Sequence, residues 1–189
     1  MKLFFPLVLI GSVAAAETPS WPPVEYAHVV AYCYDSTRDS RGSEIVFADG
    51  THHRGIIAPF TRNLMPGQAK RLLALLNPEK EPIEQEEDCY DPHHALVFYD
   101  KEWKPLASID ICLSCADFRA RPAHPNKELD WEAFAALFRS LGMPVLEGEA
   151  GYQELFLMHQ KPILAEETEH PVKRDPEPTE PFDPFAPDG

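Results

Sequence analysis

Cys89-Tyr-Asp-Pro-His-His94, followed eighteen residues after His94 by Cys112-Leu-Ser-Cys115, gathers three of the four cysteines of this 189-residue chain into one local unit. Thiols at such spacing support three kinds of chemistry. In an oxidising compartment an even cysteine count usually means disulfides. With Cys33 as the fourth thiol, three pairings are open. Proximity favours Cys89 with Cys112 or Cys115, leaving the other for Cys33, or a small ring joining Cys112 to Cys115 with Cys33 bonded to Cys89. The second chemistry is a metal site, in which Cys89, Cys112 and Cys115 join His93 or His94 in the tetrahedral, thiolate-rich arrangement that zinc takes. On an extended strand His94 stands about 16 Å from Cys89, at roughly 3.3 Å per residue. Only a turn at Asp91-Pro92 folds a histidine back, Asp91 itself is a nearer ligand, and Cys33 is a further choice for the fourth. The third is thiol-disulfide exchange at Cys112-x-x-Cys115, which wants a thiol pKa lowered by a helix N-terminus just after a strand. Here Ala116 to Pro122 is interrupted too early for a long helix, although Arg119 and Arg121 favour a thiolate.

Other constellations are fainter. Cys115 and His94 have the types of a nucleophile and a base, but no third group has a claim to orient them. His52-His53 beside Asp49-Gly50 reads as an exposed turn edge, and Asp130 with Glu132 as a helix cap and dipole partner. There is no phosphate-binding glycine loop, no Gly-x-Ser-x-Gly and no His-Glu-x-x-His. No residue is therefore assigned a catalytic role.

The cysteine unit has to be held by a hairpin. Ala95 to Tyr99 and Lys104 to Cys112 are strand-like, and Asp100 to Trp103 has the length of the loop between them. With the turn centred between Lys101 and Glu102, Tyr99 faces Lys104, Leu96 faces Ala107, and Cys89 falls opposite Ser114, beside Cys112 and Cys115. Upstream, Val24 to Tyr34 alternates as a strand does. Glu44 to Phe47, Asp49-Gly50 and Thr51 to Ile57 read as a second hairpin. Residues 66 to 76 place leucines at helical spacing after Pro66, with Asn77-Pro78 as the stop. Asp130 to Leu141 is the strongest helix, capped by Asp130 and ended by Gly142-Met-Pro144. Tyr152 to His159 reads as a further short helix. This is the pattern of an α+β chain: a small antiparallel sheet with two or three helices in one domain.

Residues 1–16 have the basic start, apolar run and small-residue end of a secretory signal peptide, and no run is long enough for a transmembrane segment. We therefore expect a periplasmic or secreted protein with a linker over 17–23, a single domain over 24–162 and a disordered, acidic, Pro-rich tail over 163–189. The formal charge is −14. Residues 79–88 carry six acids and one lysine, and residues 166–188 carry eight acids against Lys173 and Arg174, so the excess sits in these two segments. A negative chain without a basic stripe repels phosphate backbones, which excludes nucleic acid as a partner.

Cys89-Tyr-x-Pro92, Ala95-Leu-Val-Phe-Tyr99 and Ile109-Asp-Ile-Cys112-x-x-Cys115 resemble a group of small, uncharacterised bacterial exported proteins. These have a similar Cys-Tyr-x-Pro-Arg run, an apolar Phe-Tyr strand, an Ile-Cys-Phe-x-Cys segment, and a helix ending in Gly-aliphatic-Pro as at Leu141 to Pro144. The resemblance covers about residues 60–145 and departs at His93, where arginine would stand, and at Leu113, where phenylalanine would. It implies the architecture and the cysteine unit, and no activity. The expected function is a non-catalytic binding or accessory module with structural cysteines, its partner a protein or small ligand. The alternatives are a zinc-type site and a redox protein.

Overall fold

The computed structural model describes residues 20–78, 89–126 and 128–169, with side chains as far as residue 160. Its centre is a five-stranded antiparallel sheet with the order β2-β1-β3-β4-β5. The strands are β1 (His28–Cys33), β2 (Arg62–Asn63), β3 (His94–Tyr99), β4 (Pro105–Cys112) and β5 (Asp117–Arg121). Three helices complete the α+β domain: α1 (Pro66–Leu76), α2 (Trp131–Ser140) and α3 (Gly148–Glu169). None of the described helices is long and apolar enough to cross a membrane.

The sheet is buried on both faces because its strands alternate two apolar sets. Val29, Ala31, Leu96, Phe98, Ile109 and Ile111 meet Leu72 and Leu76 of α1, Phe134, Leu137 and Phe138 of α2, and Tyr152 of α3. Val30, Ala95, Val97 and Tyr99 face the other way, where Tyr34, Ile45 and Val46 of the long β1–β2 connection cover them. All six residues of β3 are buried, as befits the middle strand.

The β3–β4 hairpin forms with a different register from that expected. Leu96 pairs with Ile109 instead of Ala107, a slip of two residues, and a bulge falls between Phe98 and Tyr99. The loop causes it: Asp100 accepts the Glu102 and Lys104 N–H groups, and Trp103 is left-handed at φ 63°. An even slip keeps every side chain on its expected face, so the cysteine unit survives the correction.

Other boundaries differ in instructive ways. The 44–57 hairpin is reduced to a turn at Gly50 and a single bridge between Val46 and His52. Ala116 to Pro122, interrupted too early for a long helix, contains β5. Trp21, placed in the linker, is 1 % exposed and packs edge-on against Phe98. The short 152–159 helix is part of the 22-residue α3, which runs to Glu169 and so covers 163–169 of the stretch assigned to the tail. The signal-peptide segment 1–16, the acidic run 79–88 and tail residues 170–189 lie outside the described residues.

The cap of α2 forms as the sequence indicates. The Asp130 carboxylate accepts the Ala133 N–H at 3.0 Å, and Gly142 turns the chain at φ 70°. Asp130→Ala is expected to cost about 1 kcal/mol in urea unfolding, whereas Glu132→Ala on the same exposed turn changes little; equal losses would mean that the cap is not what starts the helix.

Candidate functional site

The site is built where β4 turns into β5. Residues Leu113–Ala116 form the connection, and Ala116 takes a left-handed conformation at φ 48° to return the chain. Alternation along β4 puts Ser108, Asp110 and Cys112 on the face opposite the helices, since Ala107, Ile109 and Ile111 belong to the helix-side core. The run Cys89–His93 passes alongside on its way into β3.

Cys89 and Cys115 are joined by a disulfide with Cα atoms 5.5 Å apart. Cys89 lies at the exposed surface and Cys115 is buried. Cys112 is a free thiol with no exposure. Its Sγ accepts the Cys115 N–H at 3.3 Å and the Asp91 N–H at 3.4 Å, and the Ser114 hydroxyl lies 3.4 Å away. The same hydroxyl is 3.9 Å from the Cys115 sulfur. Three of the four cysteines thus meet, as their spacing indicated.

Cys33 does not join them. It sits opposite His94, which in turn sits opposite Ile111, so Cys33 shares the helix-side face with Ile111 while Cys112 points the other way. The two free thiols are separated by the sheet itself, which corrects the expectation of a second disulfide through Cys33. Burial pushes the Cys33 thiol up to about 12, and the residue serves as a small apolar group in the core.

The histidines are held by other groups. His93 faces the Asp91 carboxylate with Nε2 at 2.9 Å and the Tyr34 carbonyl with Nδ1 at 3.2 Å, and it stacks on Tyr152 at 3.9 Å. Asp91 also accepts the Ser36 hydroxyl at 2.6 Å. His94 donates from Nε2 to the Pro144 carbonyl at 2.8 Å and stacks on Phe138. Burial lowers its pKa to about 4, so it is neutral at physiological pH. Neither ring is bonded to a sulfur, and the Cys115–His94 pair of nucleophile and base does not form. Among the described residues no group of three or more histidine, cysteine or acidic side chains stands together as a metal site. With Cys89 and Cys115 bonded to each other, zinc ligation by the three thiols would first require that bond to be reduced. His53, read as a turn edge, is 1 % exposed and accepts the Gly55 N–H through Nδ1 at 2.9 Å.

Beside the sulfurs lies a polar cluster that the sequence does not announce. Asp110 is 3 % exposed and accepts the Ile45 N–H at 2.7 Å and the Tyr34 hydroxyl at 3.3 Å. Burial raises its carboxyl to about 7, with the nearby Glu44 charge adding to the effect against these two hydrogen bonds and Arg121. The Tyr90 hydroxyl is buried without a partner among the described residues, and Arg119 lies over its ring at 3.8 Å. Burial, then the Asp110 charge, drive the Tyr90 pKa upward.

No family model, curated protein or solved structure matches the chain.

On the helix side, the Cys112–Cys115 turn forms one wall of a groove. Leu113 and Ser114 line it from that turn, Trp131, Glu132, Ala135 and Arg139 from α2, and residues 145–148 from the segment that leads into α3. Its volume is about 630 Å³, within the roughly 300–1,000 Å³ of small-ligand sites. The Trp131 indole nitrogen is buried and has no acceptor among the described residues.

Proposed function

We propose that this chain is an exported, non-catalytic accessory module, periplasmic or secreted, that binds an extended peptide segment in the groove between the Cys112–Cys115 turn and α2. The observation that carries the reading is the groove itself. Leu113, Trp131, Ala135, Val145 and Leu146 offer apolar side chains a place, and Glu132, Arg139 and Glu147 bring charges to the same lining. A peptide supplies apolar side chains and polar groups at adjacent positions to match this mixed lining, as a purely apolar ligand does not. The disulfide supports export, because such bonds persist outside reducing compartments. It also fixes the wall, since Leu113 and Ser114 lie between Cys112 and the bonded Cys115. The histidines and Cys33 are engaged in packing or local hydrogen bonds, which favours binding over catalysis.

The test is an NMR titration of the ¹⁵N-labelled full chain with short peptides carrying single Leu or Phe residues. Shifts are expected at Leu113, Ser114, Ala135 and Leu146 and at the Trp131 indole, and Ala135→Arg should weaken binding at least about tenfold by blocking the groove. Shifts scattered over the surface, or unchanged affinity in that variant, would sink the reading.

A further inference from the structure

The sulfur cluster holds a thiol and a disulfide side by side, and this arrangement can do more than staple the fold. We propose that Cys112 is the resident nucleophile of an internal disulfide switch: it displaces Cys89 from Cys115 and so delivers a free thiol to the exposed Cys89. This goes beyond the binding reading and stands independently of the groove's occupant.

Three observations converge on it. Cys112 is reduced, while its neighbours Cys89 and Cys115 are already oxidised to each other. The Cys112 sulfur accepts two backbone N–H groups, from Asp91 and Cys115. These two contacts hold the sulfur in place beside the bonded pair. The Ser114 hydroxyl lies 3.4 Å from one sulfur and 3.9 Å from the other, so the attacking and receiving atoms are both within reach of a single small group. Residues 112 and 115 are also three apart around a tight turn, and such spacing brings Cα atoms within the roughly 4.4–6.8 Å that a disulfide spans. Cys33 offers no competing path, because it lies on the other face of the sheet.

The step balances without any other reagent. Cys112 gives up its thiol proton, the thiolate attacks the Cys115 sulfur, and the Cys112–Cys115 bond forms as the Cys89–Cys115 bond breaks. Cys89 leaves as the thiolate and takes a proton from solvent. One disulfide and one thiol are present before and after, so no oxidant or reductant is consumed. The two ends differ in exposure: the thiol starts on a buried residue and finishes on a residue at the surface. There it is available to a second molecule's disulfide or to a modifying reagent. The new ring would enclose Leu113 and Ser114, both on the wall of the groove, so the pairing of the cysteines and the shape of the groove are linked.

The experiment uses the native, full, oxidised chain incubated with N-ethylmaleimide at pH 6 to 8 without denaturant, digested without reduction and mapped by mass spectrometry. The expected product carries one maleimide on Cys89 together with a Cys112–Cys115 linkage, and its rate rises with pH because the thiolate attacks. In Cys112→Ala, and in Cys112→Ser, which retains an acceptor for the two N–H groups, labelling at Cys89 should fall at least tenfold while the Cys89–Cys115 bond stays. Three results would overturn the switch. One is a label on Cys112 or Cys33 with Cys89–Cys115 intact, another is labelling of Cys89 at an unchanged rate in both variants, and the last is no labelling over days at pH 8.

Discussion

Replacing Cys89 and Cys115 together by alanine is expected to lower the unfolding free energy by about 3 kcal/mol and the thermal midpoint by about 10 °C. The bond closes a loop with a sequence separation of 26, and that loop contains β3, β4 and the turn into β5. In the unfolded chain the crosslink removes much of the freedom of this loop. In the folded chain it ties the exposed Cys89 to the far end of the same hairpin, so both states argue for the same sign. The double variant is the clean one. A single Cys89→Ala leaves Cys115 beside Cys112, where a substitute bond can form and mask the loss. Neither Cys33 nor Cys112 can rescue the double variant by pairing with the other, because they lie on opposite faces of the sheet. Urea unfolding, with the disulfide state of the wild type verified by mass, reads the difference. A loss under about 1 kcal/mol would mean that the bond does not constrain the unfolded state as loop closure requires.

The second large effect belongs to Asp110. Its carboxyl titrates near 7 in the folded protein against an ordinary value of 3.8. A folded pKa above the unfolded one means that the fold prefers the protonated acid. That contribution is complete below about pH 4 and is lost as pH climbs towards 7. Asp110→Asn keeps the shape and an acceptor for the Ile45 N–H, but it has no charge to develop. The variant is therefore expected to gain on the wild type between pH 4 and 7, by about 2 to 4 kcal/mol. Glu44, Arg121, Tyr34, Tyr90 and Arg119 surround the group and are the same in both proteins. His94 works in the opposite direction: its folded pKa is depressed to about 4, so its contribution is present above 6.5 and is lost as pH falls. In the wild type Asp110 offsets part of the loss that His94 and the other buried histidines bring in acid, and the Asn variant, lacking that offset, should destabilise more steeply as pH falls. A stability difference between the two proteins that does not change from pH 4 to 7.5 would contradict the assignment.

These two residues also show where sequence reading succeeds and where it stops. The α1 and α2 helices were legible because their signals are local: Pro66, Asn77, Asp130 and Gly142 act on their own neighbours, and the leucines and phenylalanines between them share a face. The meeting of Cys89 with the Cys112–Cys115 segment was legible too, though not which cysteine it bonds, since a hairpin brings its two flanks together whichever even register it adopts. The register itself was not, because it depends on how Asp100 and Trp103 shape the loop. The β5 strand was missed because the alternation in Asp117-Phe-Arg-Ala-Arg121 is short and offers only Phe118 and the weak strand former Ala120 on its apolar side. Much the same holds for Asp110, which in Ser-Ile-Asp-Ile reads as the solvent side of a half-buried strand. It is buried only because the connection carrying Tyr34 and Ile45 folds over that face, and no spacing along the chain reveals a cover that comes from a distant segment. Cys33 was placed with the wrong partners for the same reason, since which face of a sheet a side chain occupies is decided by pairing between strands.

The way the sheet ends has a consequence for the chain's company at high concentration. One border is β2, only two residues long, and the other is β5, where Asp117, Arg119 and Arg121 project from a five-residue strand that stops at Pro122. Short length, alternating charge and a terminal proline deny an incoming strand a flat apolar row to zip onto. Self-association through sheet extension is thereby disfavoured at both borders.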